Sequence, residues 1–141
     1  MYGMETAMKI ICATLLAILI VFGVSKGNAA WVWLGESNWR GIDHNVYIES
    51  KKIKRDRNHV FYVILYDVGL VEGTSSTKQL ILGDCELYRI KRLAIEMYKD
   101  SMGRGKLLRS MERSQSETPW ETFPINSIEG RNVRTACEMS E

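Results

Sequence analysis

The sequence predicts an α+β domain: a single antiparallel sheet of about six strands, with a C-terminal helix packed on one face and tied by a disulfide. Three observations predict it. Apolar, β-branched runs alternate with turn chemistry from Trp31 to Ser110, and HVFYVILYDV, His59 to Val68, is the clearest of them. The segment from Ser127 to Cys137 changes to helical spacing. Two cysteines, Cys85 and Cys137, remain once an N-terminal leader is set aside. A chain of 141 residues holds one domain by the usual length prior.

The leader is residues 1–29, and the domain is 30–141. Lys9 precedes the apolar run Ile10 to Val24, and SKGNAA follows it. Gly27 and Ala29 fill the two small positions needed before a cut between Ala29 and Ala30. The run is about 15 residues, short for a span of roughly 20. An uncleaved anchor is the competing reading. Met8-Lys9 makes a natural opening too, so Met1 to Ala7 is either part of the leader or an extension ahead of the true start. Cys12 lies near the beginning of the apolar run and leaves with it. A lipoprotein cysteine would follow the run, so no lipid anchor is expected. The mature chain is expected to be exported, periplasmic or secreted to the cell surface, with no stable membrane span after cleavage. Two cysteines in an exported domain most simply form one disulfide. It would close a loop of about 50 residues, worth roughly 4 kcal/mol in the chain-entropy treatment. Two free thiols are the alternative.

The elements follow in order. WVWLGESNW, Trp31 to Trp39, alternates tryptophan with Val32 and Leu34 and reads as a first strand with both faces covered. Arg40 to Asn45 reads as a turn and Val46-Tyr47-Ile48 as a short second strand. Glu49 to Asn58 is polar and basic, a connection with one helical turn whose Ile53 dips into the core. His59 to Val68 is too apolar for a wet face and reads as a buried central strand. Leu70 to Ser76 is loop chemistry. Lys78 to Gly83 reads as the fourth strand and Cys85 to Met97 as the fifth, or as its continuation. Gly103 and Gly105 turn the chain into a sixth strand at Leu107-Leu108. Glu112 to Thr118 reads as a flexible loop, ended by Pro119 and Trp120. In the tail, Ser127 can cap a helix whose Ile128, Asn132, Val133, Ala136 and Cys137 share a face. Gly130 costs that helix roughly 1 kcal/mol relative to alanine. The disulfide then pins helix to sheet.

The composition excludes several function classes. A charged fraction of 26% and a hydrophobic fraction of 45% are those of a globular chain. A net charge of +2 gives no electrostatic case for nucleic acid. No cofactor or metal is expected: the histidines are His44 and His59, the mature cysteines lack CxxC spacing, and zinc would need four ligands from distant loops. No Gly-x-Ser-x-Gly elbow appears, and Asp43 and His44, adjacent on an extended chain, point to opposite faces. Glu36, Asp43, Glu49, Asp67, Glu72 and Asp84 could be paired into a glycosidase site only arbitrarily. Gly103-Arg104-Gly105 lacks phosphate-loop spacing. The aromatics remain. Trp31, Trp33, Trp39 and Trp120 read first as core filling, and Trp39, near a turn, as a surface contact. Lys51, Lys52, Lys54 and Arg55 read first as solvated surface. With Trp39 they form the candidate interaction surface. Open sheet edges leave room for a second copy of the chain.

Several of these segments together resemble the surface-adhesin protein E-like domain of bacterial envelope proteins. The resemblance rests on Trp33, VYIESKKIKRDRNHVFYV, DCELYRIKR, Tyr98 with the MGRGKL segment, Trp120 followed by Pro124 and Ser127, and Cys137, in that order over about 100 residues. Glu49 stands where the family tends to carry aspartate, Lys52 precedes Ile53, and Arg57 stands where a glycine is expected in the turn. Ile125 and Asn126 replace a single glycine. The resemblance implies a six-stranded antiparallel sheet with a C-terminal helix tied to its concave side by one disulfide. It also implies a non-enzymatic adhesin that binds host matrix and serum proteins, such as vitronectin and laminin, and that can form a homodimer. The rival expectation is a periplasmic structural or accessory protein of the same fold with no host ligand. A hydrolase is the third class.

Overall fold

The computed structural model describes residues 29–141, and the predicted leader, apart from Ala29, lies outside them. Eight strands and one helix follow in order: β1 (Trp31–Trp39), β2 (Ile42–Glu49), β3 (Lys54–Asp56), β4 (His59–Tyr66), β5 (Ser76–Asp84), β6 (Arg89–Tyr98), β7 (Leu107–Glu112), β8 (Glu121–Thr122) and α1 (Ile128–Met139). Six of the strands make one antiparallel sheet in the order β1-β2-β4-β5-β6-β7, while β3 pairs with β4 and β8 with β6. This is the α+β architecture that the sequence predicts, and the short β3 and β8 are additions to it.

The core lies between the sheet and α1. Alternate residues of β4 (Val60, Tyr62, Ile64) meet Gly83, Ile81 and Gln79 of β5 in register and face the helix. The face continues through Val46 and Ile48 of β2 and Ile90 of β6. From α1, Ile128, Val133, Ala136 and Cys137 are buried against it. Burying each large apolar side chain contributes about 1.5–3 kcal/mol. Gly83 permits the close approach, because a Cβ there would stand 3.0 Å from both Val133 and Val60. A fully buried polar bond crosses this interface: the Tyr62 hydroxyl donates to Asn132 Oδ1 at 2.9 Å. Burial pushes the Tyr62 phenol well above its ordinary pKa, so it remains a donor.

Cys85 and Cys137 are joined, with Cα atoms 5.7 Å apart. Arg55 supports the same end of the helix, donating from Nη1 to the Cys137 carbonyl at 3.3 Å and to Ser140 Oγ at 3.1 Å. At the other end Ser127 Oγ accepts from Gly130 N at 3.1 Å and donates to the Pro124 carbonyl at 2.6 Å. Gly130 is more than a propensity cost. A Cβ there would lie 2.1 Å from the Pro124 carbonyl oxygen, so the tight entry to the helix requires glycine.

Several boundaries differ from the sequence reading. The turn predicted over Arg40–Asn45 shrinks to Arg40-Gly41, both at positive φ, with Asn38 Oδ1 accepting from Gly41 N. Strand β2 therefore begins at Ile42, and β4 ends at Tyr66 rather than Val68. Strand β5 begins at Ser76, inside the predicted loop. Cys85 stands in a turn, and β6 begins only at Arg89. The cause is Asp84, whose Oδ1 accepts from the backbone N–H groups of Glu86 and Leu87 and so bends the chain. Strand β1 is an edge strand rather than one with both faces covered: Trp33 is 58% exposed. The segment after Glu112 is fastened to the sheet, through Arg113 N to the Leu93 carbonyl and Lys91 Nζ to the Gln115 carbonyl.

Two stability measurements check this picture. Cys85→Ser, read by chemical denaturation with thiol titration, is expected to cost about 4 kcal/mol. An unchanged midpoint with free thiols detected would refute the staple. Arg57 holds φ at 56° in the β3–β4 turn, where a non-glycine residue is strained. Arg57→Gly is expected to stabilise the fold by roughly 0.5–1 kcal/mol.

Candidate functional site

The second face of the sheet has no helix over it. The pairing register places Trp33, Tyr47, Leu65 and Lys78 in one row across β1, β2, β4 and β5. The next row is Val63, Leu80 and Ala94, and the one after it Lys54, Phe61, Leu82 and Lys91. From Val60 to Tyr66 β4 is apolar and aromatic and supplies both faces, which is why its sequence shows no alternation.

Side chains close the two ends of this face. At one end Trp31 lies 5.7 Å from Lys78 Nζ, reaching across β2 and β4, and Leu65 between them is fully buried. At the other end Trp120 stacks on His59 with ring centroids 5.7 Å apart. The Arg89 guanidinium and Lys91 ammonium sit 4.5 and 4.9 Å from its centre. Trp120 thus reaches both β4 and β6, over β5, and Leu82 there is 4% exposed. Each cation over an indole contributes about 0.5–1 kcal/mol at such partly exposed sites. Elsewhere on this face Trp33, in the row of Tyr47 and Leu65, and Leu80, in the next row, are exposed, while Tyr47, Phe61 and Val63 are half-buried. The Trp33 indole N–H donates to Asn45 Oδ1 at 2.9 Å, which holds the ring in place.

Arg89 is positioned by Asp84. Its Nε donates to Asp84 Oδ2 at 2.9 Å. Burial raises the Asp84 pKa, but the Arg89 bond and the N–H groups of Leu87 and Glu86 outweigh it and hold the carboxyl below its usual range.

The five residues of the predicted interaction surface do not converge. Trp39 ends β1 on the helix side of the sheet, with the Arg40 guanidinium 4.8 Å over its ring. There it lines a cleft of about 250 Å³ with His44, Tyr66, Gln79, Arg92 and Glu129. Lys51 and Lys52 are exposed on a single 3-10 turn (Ser50–Lys52) at the opposite end of β2. Lys54 pairs with Phe61 and borders the open face. Arg55 pairs with Val60, on the helix side, where it supports α1. Sequence reasoning missed Trp33, Phe61 and Leu80. The signal that could have found them is the period-two partner set of Trp33 and Tyr47, visible only once the register is known.

The described residues offer contact chemistry. No group of three His, Cys, Asp or Glu converges among them. His44 is buried on the helix side, its Nδ1 3.2 Å from the Ile42 carbonyl, while His59 lies on the open face under Trp120. Also among the described residues, no helix is long and apolar enough to cross a membrane.

The domain is a disulfide-pinned sheet and helix with one face covered by the helix and an aromatic face left without one. The chain belongs to the surface-adhesin protein E family, whose sequence pattern matches residues 31–138. Its fold is similar to that of Haemophilus influenzae protein E. A second crystal form of that protein is 15% identical with a TM-score of 0.53, over 78% of this chain and 97% of that one. Another structure gives 14% and 0.51 over 79% and 95%. The selenomethionine form gives 14% and 0.51 over 66% and 78%. At such identities the likeness is one of fold. No curated protein matches in sequence.

Two outcomes test the construction of this face. Trp120→Ala is expected to lower stability by about 2 kcal/mol, less than a fully buried tryptophan. Asp84→Asn is expected to reduce the acid sensitivity of the fold. The depressed Asp84 pKa contributes stability that is fully present above the unfolded value of about 3.9 and is lost as pH falls through the lower folded value. A wild-type-minus-variant difference that stays constant from pH 6 to pH 2, both conditions of the assay, would contradict that role.

Proposed function

We propose that this protein is an exported, non-enzymatic, adhesin-like binding module of the bacterial envelope, which holds a protein ligand against the open face of its sheet. The observation that carries the reading is the exposed Trp33 and Leu80, set among half-buried Tyr47, Phe61 and Val63. Aromatic side chains fixed in place contribute most at protein interfaces. Lys54 and Lys91 border the patch. Lys51 and Lys52 add a basic margin that raises encounter rates with acidic partners. Trp39 is assigned to a separate, smaller contact at the cleft. By resemblance the ligand class is host matrix or serum protein. Family membership supports a surface role. For a second copy, the edge strand β7 is the surface we favour, being exposed along its whole length.

The double variant Trp33→Ser with Leu80→Ser is expected to lose at least about tenfold in affinity for immobilised matrix protein, equivalent to 1.4 kcal/mol. Its melting temperature should fall by only a few degrees, because Trp33 is 58% and Leu80 37% exposed. Retained binding would move the site elsewhere. Protease shaving of intact cells separates the surface from the periplasm: peptides released while a periplasmic control stays protected support the adhesin reading. Peptides that appear only after the envelope is opened would end it.

A further inference from the structure

Glu49, the last residue of β2, is a carboxylate 1% exposed to solvent. Its Oε1 accepts from the backbone nitrogen of Ala30 at 2.8 Å and from that of Lys51 at 3.2 Å. Its Oε2 is equally buried and has no hydrogen-bond partner among the described residues. A buried carboxyl oxygen left without a hydrogen-bond partner is a costly feature for a fold to carry. Something at this position is short of a donor.

The nitrogen of Ala30 is held there firmly. The Ala30 carbonyl accepts from both Ser50 N and Ser50 Oγ, each at 3.0 Å, and Trp31 pairs with Glu49 in the first register of β1 and β2. An amide at that nitrogen offers one donor and no charge. An α-ammonium at the same atom offers three donors and a full positive charge. The sequence places its leader cut, after the small residues Gly27 and Ala29, at the bond to this same nitrogen. A cut one residue later would remove the residue that Ser50 clamps. A cut one residue earlier would leave the amide in place.

We propose that cleavage between Ala29 and Ala30 creates the partner that Glu49 lacks, and that the new α-ammonium of Ala30 pairs with both carboxylate oxygens, so that leader removal completes the fold. The inference rests on the export reading above. The step is a hydrolysis by a leader peptidase. The bond between the Ala29 carbonyl carbon and the Ala30 nitrogen breaks, the water oxygen joins the carbonyl carbon to leave a carboxylate on the departing leader, and the Ala30 amine takes up both of the water's protons to become the α-ammonium. The folded domain is thereby set to be more stable after export than before it.

The test uses the full chain purified in detergent, before and after treatment with a purified leader peptidase, with intact mass identifying the new terminus. A terminus at Ala30 and a melting temperature raised by about 5 °C are expected for the wild type. Glu49→Gln should be cut at the same bond and show no rise. The α-amine of the cut wild type should react with an acylating reagent at least about tenfold more slowly than that of Glu49→Gln. Should Glu49→Gln not fold, the comparison becomes native against urea-unfolded wild type, with the same protection expected. Cleavage at Ala30 with an unchanged melting temperature and an unprotected amine overturns this inference and leaves export standing. A terminus elsewhere does the same. A chain that the peptidase does not cut overturns both.

Discussion

A sheet of six principal strands has two faces, and this domain lays one helix of 12 residues against them. That shortage governs the rest of the structure. The helix takes one face, and it is held there by close approach at Gly83, by the Tyr62–Asn132 bond and by the disulfide. The other face must be shielded by side chains alone. Trp31 and Trp120 do this, Trp31 beside Lys78 of β5 and Trp120 beside Arg89 and Lys91 of β6. Trp33, bonded to Asn45, and Leu80 in the next row stay exposed. A domain with a second helix would have no such surface. The exposed patch is therefore a product of the architecture as much as of individual residues.

The basic cluster from Lys51 to Arg55 shows how a single run of sequence divides its labour. In sequence it is one patch. In the fold, the alternation of β3 sends Lys54 toward the open face and Arg55 toward the C-terminus of α1. There the guanidinium donates to the Cys137 carbonyl, an oxygen that also accepts from the Ser140 hydroxyl. Charge counting could not separate these roles, because the separation arises from a two-residue period within a strand of three residues.

Other features were legible from composition and spacing. The density of β-branched and aromatic residues from His59 to Tyr66 announces a central strand, and the Ser127 cap with its helical apolar face announces α1. Two cysteines in one domain sufficed to expect the staple. What stayed hidden depends on long-range pairing or on local hydrogen bonds that override propensity. Asp84 looks like any acidic residue until its carboxylate is seen folding the chain around Cys85. The early start of β2 depends on Arg40 accepting a left-handed conformation, which propensity disfavours. Glu49 reads as the first residue of a polar connection. Only the pairing of β1 with β2 buries it beside Ala30.

The order of elements along the chain has one more consequence. The face that α1 covers is assembled from β2, β4, β5 and β6, all of which precede the helix. A ribosome delivers them first. Until the last residues emerge, a completed apolar surface has no lid, and the Cys85 sulfur has no mate. The nascent sheet is thus an adhesive intermediate by construction, and a chain stopped short of Ile128 would remain one. Closing that surface falls to α1, Ile128–Met139.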